Sequence, residues 1–202
     1  MAPIKLVCIL SSIRDGRMGD RMKKLVESQF NEVLGSKGHT LEVIDPADYD
    51  LPVLKLPLHF HRDPSQAPEN LKQLNEIVMS ADGYIIVTAE YNRSLPPALT
   101  NLMDHLPPTS FEFKSSGVVS YSMSNQGGVM AVASARPFLS EFGCLPVKHF
   151  VAVDTVHKEV KEDGTTENTH ICSSLKKLFN EVEWWARAAK ALRESEGKPN
   201  QK

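Results

Sequence analysis

The 202-residue chain is predicted to fold as a three-layer α/β sandwich, a five-stranded parallel sheet with helices on both faces. Two observations carry that prediction. Short runs of continuously apolar residues recur along the chain, as strands buried on both faces require, and the stretches between them space their apolar residues by three and four, as amphipathic helices do. A third observation permits it: 41% hydrophobic residues are enough to build a core of this size without a metal or disulfide staple.

Ile4 to Leu10 reads as the first buried strand. Met18 to Leu34, with Met22, Leu25, Val26, Phe30 and Val33 on one side, is the first helix, and Gly35 and Gly38 stop it. Thr40 to Ile44 is the second strand, followed by a loop punctuated by Pro46, Pro52, Pro57 and Pro64. Asn70 to Ser80 is the second helix, and Gly83 to Thr88, with YIIV at its centre, is the third strand. Pro96-Pro97 opens a third helix, because a first turn tolerates a residue without an N–H. Gly117 to Ser122 and Val147 to Val153 are the fourth and fifth strands, flanking a helix over Gly128 to Phe142. Ile171 to Leu192 closes the fold. The expected strand order is 2-1-3-4-5, in a single domain over residues 1–192 with a polar tail over 193–202.

Twenty-five acidic and 23 basic side chains leave a formal charge of -2. With the lysines and arginines interleaved among acids, no basic patch offers itself to a phosphate backbone, and no nucleic-acid partner is expected. Cys8, Cys144 and Cys172 are odd in number and widely spaced, as in reduced thiols. The five-residue apolar run near the start is too short for a signal segment or a membrane span, so the expectation is a soluble cytoplasmic protein with no membrane partner.

In a doubly wound sheet, ligands bind beyond the carboxyl ends of the strands where the strand order reverses. After the first strand comes Ser11-Ser12-Ile13-Arg14-Asp15-Gly16-Arg17-Met18-Gly19. Hydroxyls, a guanidinium and the amides of a helix start suit a phosphate monoester. The loop matches neither GxxxxGK[ST] nor GxGxxG, and taken alone it reads equally well as a solvated turn with a capping serine. After the third strand comes Ala89-Glu90-Tyr91-Asn92, and after the fourth comes Ser122-Met123-Ser124-Asn125-Gln126-Gly127-Gly128. Such loops are able to edge a flat heterocycle, yet each also fits an ordinary turn or helix start.

Together, Ser12-Ile13-Arg14, Glu90-Tyr91-Asn92, Pro97-Ala98-Leu99 with Asn101 and Asp104, and Gly127-Gly128 resemble the NADPH-dependent FMN reductase family of flavodoxin-like quinone, azo and chromate reductases. The resemblance implies a flavodoxin-like fold, an FMN cofactor, NADPH or NADH as co-substrate, a quinone-like small-molecule acceptor, and a homodimer or homotetramer. It implies that Ser12, Arg14, Arg17, Met18 and Gly19 surround the FMN phosphate, with Ser11 beside them either donating to the phosphate or crowding a turn that wants glycine. Ala89, Glu90, Tyr91 and Asn92 would follow the ribityl chain and ring edge, and Ser122, Met123, Gly127 and Gly128 the pyrimidine side. Asn101 and Asp104 would tie their helix to its loops. Family members usually carry Gly at the place of Ser11, Pro at that of Ala89 and Lys at that of Thr100, and many carry Ser at that of Arg17. No side-chain nucleophile or base is required, because the flavin supplies the difficult chemistry, and no catalytic residue is named. The competing expectation is a flavodoxin-fold FMN-binding or regulatory protein without turnover.

Other constellations are weaker. His59-Phe60-His61 lacks a third ligand at a plausible spacing, a serine hydrolase lacks the GxSxG elbow, and a phosphorelay receiver would need acids after the first strand. No metal site is expected. An electron-carrier flavodoxin would be strongly acidic. Trp184 and Trp185 are adjacent on the last helix, so they point about 100° apart and one must leave the core, which suits a subunit contact.

Overall fold

A computed structural model describes residues 2–199. Five parallel strands, β1 (Lys5–Leu10), β2 (Thr40–Ile44), β3 (Gly83–Ala89), β4 (Ser115–Tyr121) and β5 (Leu145–Val153), lie in the order β2-β1-β3-β4-β5. The α-helices are α1 (Gly19–Val33), α2 (Glu69–Ser80), α3 (Pro97–Asp104), α4 (Val129–Glu141), α5 (Val156–Glu159) and α6 (Thr169–Glu196). This is the flavodoxin-like arrangement expected from the sequence. β3 and β4 are buried at every position, as central strands covered on both faces must be.

Strand alternation sorts the core into two layers. Leu6, Cys8, Leu10, Ile85 and Val87 face α1 and α6, where Phe30 and Phe179 meet edge-on, while Val7, Ile9, Tyr84 and Ile86 face α2, α3 and α4. Between β2 and α2 the proline-rich loop folds as three short 3-10 turns. Cys8, Cys144 and Cys172 are free thiols, the first two buried.

Two differences from the sequence reading concern the end of the chain. The single-turn α5 was not foreseen, being only four residues long. The last helix also extends through Glu196, so residues 193–196, expected in a polar tail, are helical. Arg193 explains the extension: its guanidinium donates to Asp82 and to the Phe113 carbonyl, which anchors the final turn against the amino end of the sheet. Residues 200–202 of that expected tail lie outside the described residues.

Candidate functional site

The first crossover leaves β1 at Leu10 and enters α1 at Gly19. The α1 N-cap is Met18, which has no side-chain acceptor to offer, so the first-turn N–H groups are left for another partner. Ser11 is fully buried and its Oγ accepts the Ala89 N–H at 2.9 Å. The two departures from the family's Gly and Pro are therefore one feature. Proline at 89 would have no N–H to donate, and glycine at 11 no hydroxyl to receive it; here Ser and Ala satisfy each other and tie the ends of β1 and β3 together. Ser11 faces the core, not a phosphate.

Ser12 Oγ lies 2.5 Å from Tyr91 Oη, which joins the first loop to the second. The exposed Arg14 guanidinium sits 3.5 Å above the centre of the Tyr91 ring. Arg17 behaves differently, since each nitrogen of its guanidinium is engaged within the protein. It donates to Asp20 through Nε at 2.9 Å, to Asp45 through both Nη atoms and to the Ser12 carbonyl through Nη1, and Nη2 lies 2.8 Å from Asp20 Oδ1 as an ion pair. Burial pushes the Asp45 carboxyl up, but the Arg17 guanidinium and the Ala47 N–H outweigh it and hold the group below the usual carboxylate range.

Beyond β3, the Glu90 carboxylate turns away to accept the N–H groups of Met130 at 2.9 Å and Ala131 at 3.3 Å, capping α4. Tyr91 and Ser94 exchange two main-chain hydrogen bonds, each 3.0 Å, across a two-residue turn. Both central residues, Asn92 (φ 50°) and Arg93 (φ 63°), are left-handed, as a type I′ turn demands. Asparagine tolerates that backbone; arginine does so at a cost. In the third loop, Ser122 Oγ accepts the Ser124 N–H at 3.0 Å. Gly127 and Gly128 have φ 62° and 76°, and a side chain at 128 would start 3.0 Å from the Tyr121 carbonyl oxygen. The glycines are needed by the loop's own path.

The three loops enclose a cavity of about 470 Å³. Ser12, Arg14, Arg17, Met18, Ala89, Glu90, Tyr91, Ser122 and Met123 line it. Five predicted residues do not: Ser11, Asn92, Gly127 and Gly128 shape the loops from behind or beside, and Gly19 lies against the Tyr121 hydroxyl. Asp15, Gly16, Tyr121, Ser124 and Val156 also line the cavity and were missed. Tyr121 is the last residue of β4, a position where an aromatic ending an apolar strand was the available signal. It is buried, and that burial pushes its phenol far above the usual value, so it is a neutral floor to the cavity. Val156 belongs to α5 and could not be placed without that turn.

Elsewhere, Asn101 Oδ1 accepts the Leu54 N–H at 2.9 Å and its amide donates to the Pro52 carbonyl at 3.0 Å, which pins the proline-rich loop to α3. Asp104 is exposed and Thr100 bonds back to the Pro97 carbonyl within its own helix. The His59 ring packs edge-on against Phe60. Among the described residues, no group of three His, Cys, Asp or Glu side chains is placed to hold a metal ion, and no helix is long and apolar enough to cross a membrane.

A flavodoxin-like sheet with an uncapped helix start, hydroxyls and an arginine at its switch point defines the class: a protein built to hold a phosphate-bearing ligand at the carboxyl ends of its strands. The chain belongs to the NADPH-dependent FMN reductase family, whose sequence model matches residues 4–158. It is thus an oxidoreductase with FMN as its cofactor and NAD(P)H as reductant. An NADPH azoreductase of Bacillus sp. (strain OY1-2) is 28% identical over 130 residues, covering 64% of this chain and 73% of that protein. A 2-hydroxy-1,4-benzoquinone reductase of Burkholderia sp. is 35% identical over 83 residues, covering 40% of this chain and 44% of the relative. Among solved structures, the flavoenzyme NAD(P)H:(acceptor) oxidoreductase FerB of Paracoccus denitrificans aligns with a TM-score of 0.73 at 18% identity, covering 93% of this chain and 98% of FerB. The apo NADH:FMN oxidoreductase EMOB aligns with a TM-score of 0.66 at 23% identity, covering 92% and 89%. At these identities the two structures speak for the fold.

Proposed function

We propose that this chain is a cytoplasmic FMN-dependent NAD(P)H oxidoreductase that reduces quinones or similar small acceptors in a two-electron ping-pong cycle. Residues 1–192 act as one FMN-binding domain, and the active form is a homodimer or homotetramer. The observation that carries the reading is the meeting of a phosphate-ready loop and an aromatic loop around one cavity, with Ser12 and Tyr91 in direct contact between them. The names of the azoreductase and benzoquinone reductase relatives support a flat, electron-poor acceptor.

The donor set fits FMN. Ser12, Arg14 and the Met18 amide offer hydrogen bonds and one exposed positive charge to a phosphate. The segment from Ala89 to Tyr91 would hold the ribityl chain and ring edge, and Ser122 and Met123 the pyrimidine side, with Asn92, Gly127 and Gly128 shaping those loops. Bound FMN supplies hydride acceptance and release at its ring. The protein's own part is to bind, orient and exclude. Tyr121 keeps the floor uncharged, Glu90 is committed to the α4 start and away from the ring, and Tyr91 presents a rigid aromatic wall. Nicotinamide and acceptor share this one opening and enter it in turn. Trp184, 61% exposed, and Trp185, 39% exposed, offer apolar surface for a subunit contact.

The test is direct. Protein purified with FMN is expected to be yellow and to oxidise NAD(P)H when a quinone is supplied, with parallel double-reciprocal lines as acceptor is varied. Colourless protein that cannot be reconstituted with FMN refutes the reading; bound flavin without NAD(P)H oxidation establishes instead a flavin-binding protein without turnover.

A further inference from the structure

We propose that Arg17 is a positioning residue and not a phosphate ligand: with Asp45 it forms a buried strut that holds the Ser12 end of the first loop, leaving Arg14 as that loop's cation for the cofactor. The inference rests on the FMN reading above and sharpens it. An arginine at the start of α1, lining the cavity, looks like an anion contact in the sequence. Its geometry says otherwise.

A guanidinium has five N–H donors, and here four of them donate to protein acceptors, while Nη2 also lies 2.8 Å from Asp20 Oδ1 as an ion pair. Three elements meet at this one group. Asp45 leaves the end of β2, Asp20 lies in the first turn of α1, and the Ser12 carbonyl ends the run out of β1. The Arg17 side chain is 12% exposed and that of Asp45 9%, so the pair is shielded from the solvent that would make an exposed ion pair weak. Asp45 is held in turn by the Ala47 N–H at 3.0 Å. Two carboxylates already neutralise the cation. A phosphate approaching Arg17 would have to displace Asp45 and leave that carboxylate buried without its partner, which costs more than the new contact returns. Arg14 is the opposite case: it is exposed, it pairs with no carboxylate among the described residues, and it lies over Tyr91 at the mouth of the cavity.

The two roles predict opposite signs for one substitution. If Arg17 were a ligand, Asp45 would compete with the phosphate, and removing it would tighten FMN binding. If Arg17 is half of a strut, removing Asp45 weakens binding as much as removing Arg17 does. The experiment titrates flavin-free protein with FMN and with riboflavin, following flavin fluorescence, and records melting temperatures without flavin. It uses wild type, Asp45→Ala, Asp45→Asn, Arg17→Ala, Arg17→Lys and the Asp45→Ala/Arg17→Ala double variant. Each single variant is expected to lose about tenfold or more in FMN affinity and to melt lower, and the double variant to be no worse than about twofold beyond either single, as for residues acting as one unit. Arg17→Lys is not expected to rescue, because one ammonium cannot span Asp20, Asp45 and Ser12. Riboflavin, which lacks the phosphate, should be affected by about twofold at most. Tighter or unchanged FMN binding in Asp45→Ala and Asp45→Asn, with weaker binding in Arg17→Ala, overturns the proposal. Asp45→Asn preserves shape if the alanine variant does not fold. Should wild type fail to bind FMN, the functional reading falls, and the strut is then judged on whether the melting losses of the single variants are shared or additive.

Discussion

The two ends of the sheet hold cavities of comparable size and opposite character. At the carboxyl end, about 470 Å³ is bounded by serines, an exposed arginine and two tyrosines. At the amino end, about 560 Å³ between α6 and the starts of β4 and β5 is bounded mostly by Phe113, Leu145, Trp185 and Leu192. Volume alone would favour the second. Left-handed non-glycine residues occur at both ends, Asn92, Arg93 and Thr155 at one and Phe113 at the other, so backbone does not decide; charge favours the first, where Arg14 is exposed and the α1 start is left without a side-chain cap. At the amino end the charged groups are instead consumed by the fold. Lys114 Nζ donates among the carbonyls of Val78, Met79 and Ser110 and the Tyr84 hydroxyl, and Asp82 takes Lys190, Arg193 and the Lys5 N–H. At the amino end the charged groups are satisfied within the fold, whereas at the carboxyl end Arg14 and the first-turn amides of α1 are left for a ligand.

Substitution should separate the two ends, and the largest effect is expected at Lys114. Lys114→Met strands three main-chain carbonyls and should cost about 2–4 kcal/mol of stability by denaturant unfolding, with FMN affinity unchanged. Burial, helped by Arg193 and Lys198, pushes the Lys114 ammonium down to about 7 from an ordinary 10.5. The unfolded chain therefore holds a proton that the folded chain releases between those values, and this group's contribution to stability rises with pH across that window. Lys114→Met should remove that slope. A loss of FMN binding in this variant would break the division between the ends.

Arg14→Ala should do the reverse, weakening FMN binding by about 1.5–3 kcal/mol in a fluorescence titration while the flavin-free protein melts almost as before. A double-mutant cycle at the seam between β1 and β3 comes next. Ser11→Gly and Ala89→Pro should each cost about 1 kcal/mol of stability, and the pair together less than their sum, because the second change removes the partner the first left unsatisfied. Additive costs would show that the two positions are independent. The smallest effect concerns acid. Since Asp45 sits below its ordinary 3.8, its contribution is complete above that pH and is lost as pH falls through the lower, folded value. Wild type and Asp45→Asn melting curves should converge on acidification below about pH 4.

Much of the fold was legible because each element's signal is local. The apolar runs of β1 and β3, the three-and-four spacing of α1 and the Pro96-Pro97 helix start are read within a single window. What stayed hidden in the fold was short or held from afar: α5 spans one turn, and the last turn of α6 is held by Asp82, 111 positions away from Arg193. The site was legible as three loops at the right strand ends. The jobs of individual residues within them were not. Ser11 Oγ accepts the Ala89 N–H from within the core, and the carboxylate of Glu90, a residue that lines the cavity, caps α4.

The sequence by itself determined the order of strands and helices, the membership of the family and which loops face the cavity, because periodicity and motif spacing are properties of neighbouring residues. Only the tertiary structure decided which polar groups remain free there. Arg17 meets Asp45 across 28 positions, Glu90 meets Met130 across 40 and Ser11 meets Ala89 across 78. A hydrogen-bonding group is available to a ligand only when no protein partner satisfies it, and those partners are brought into reach by the fold alone.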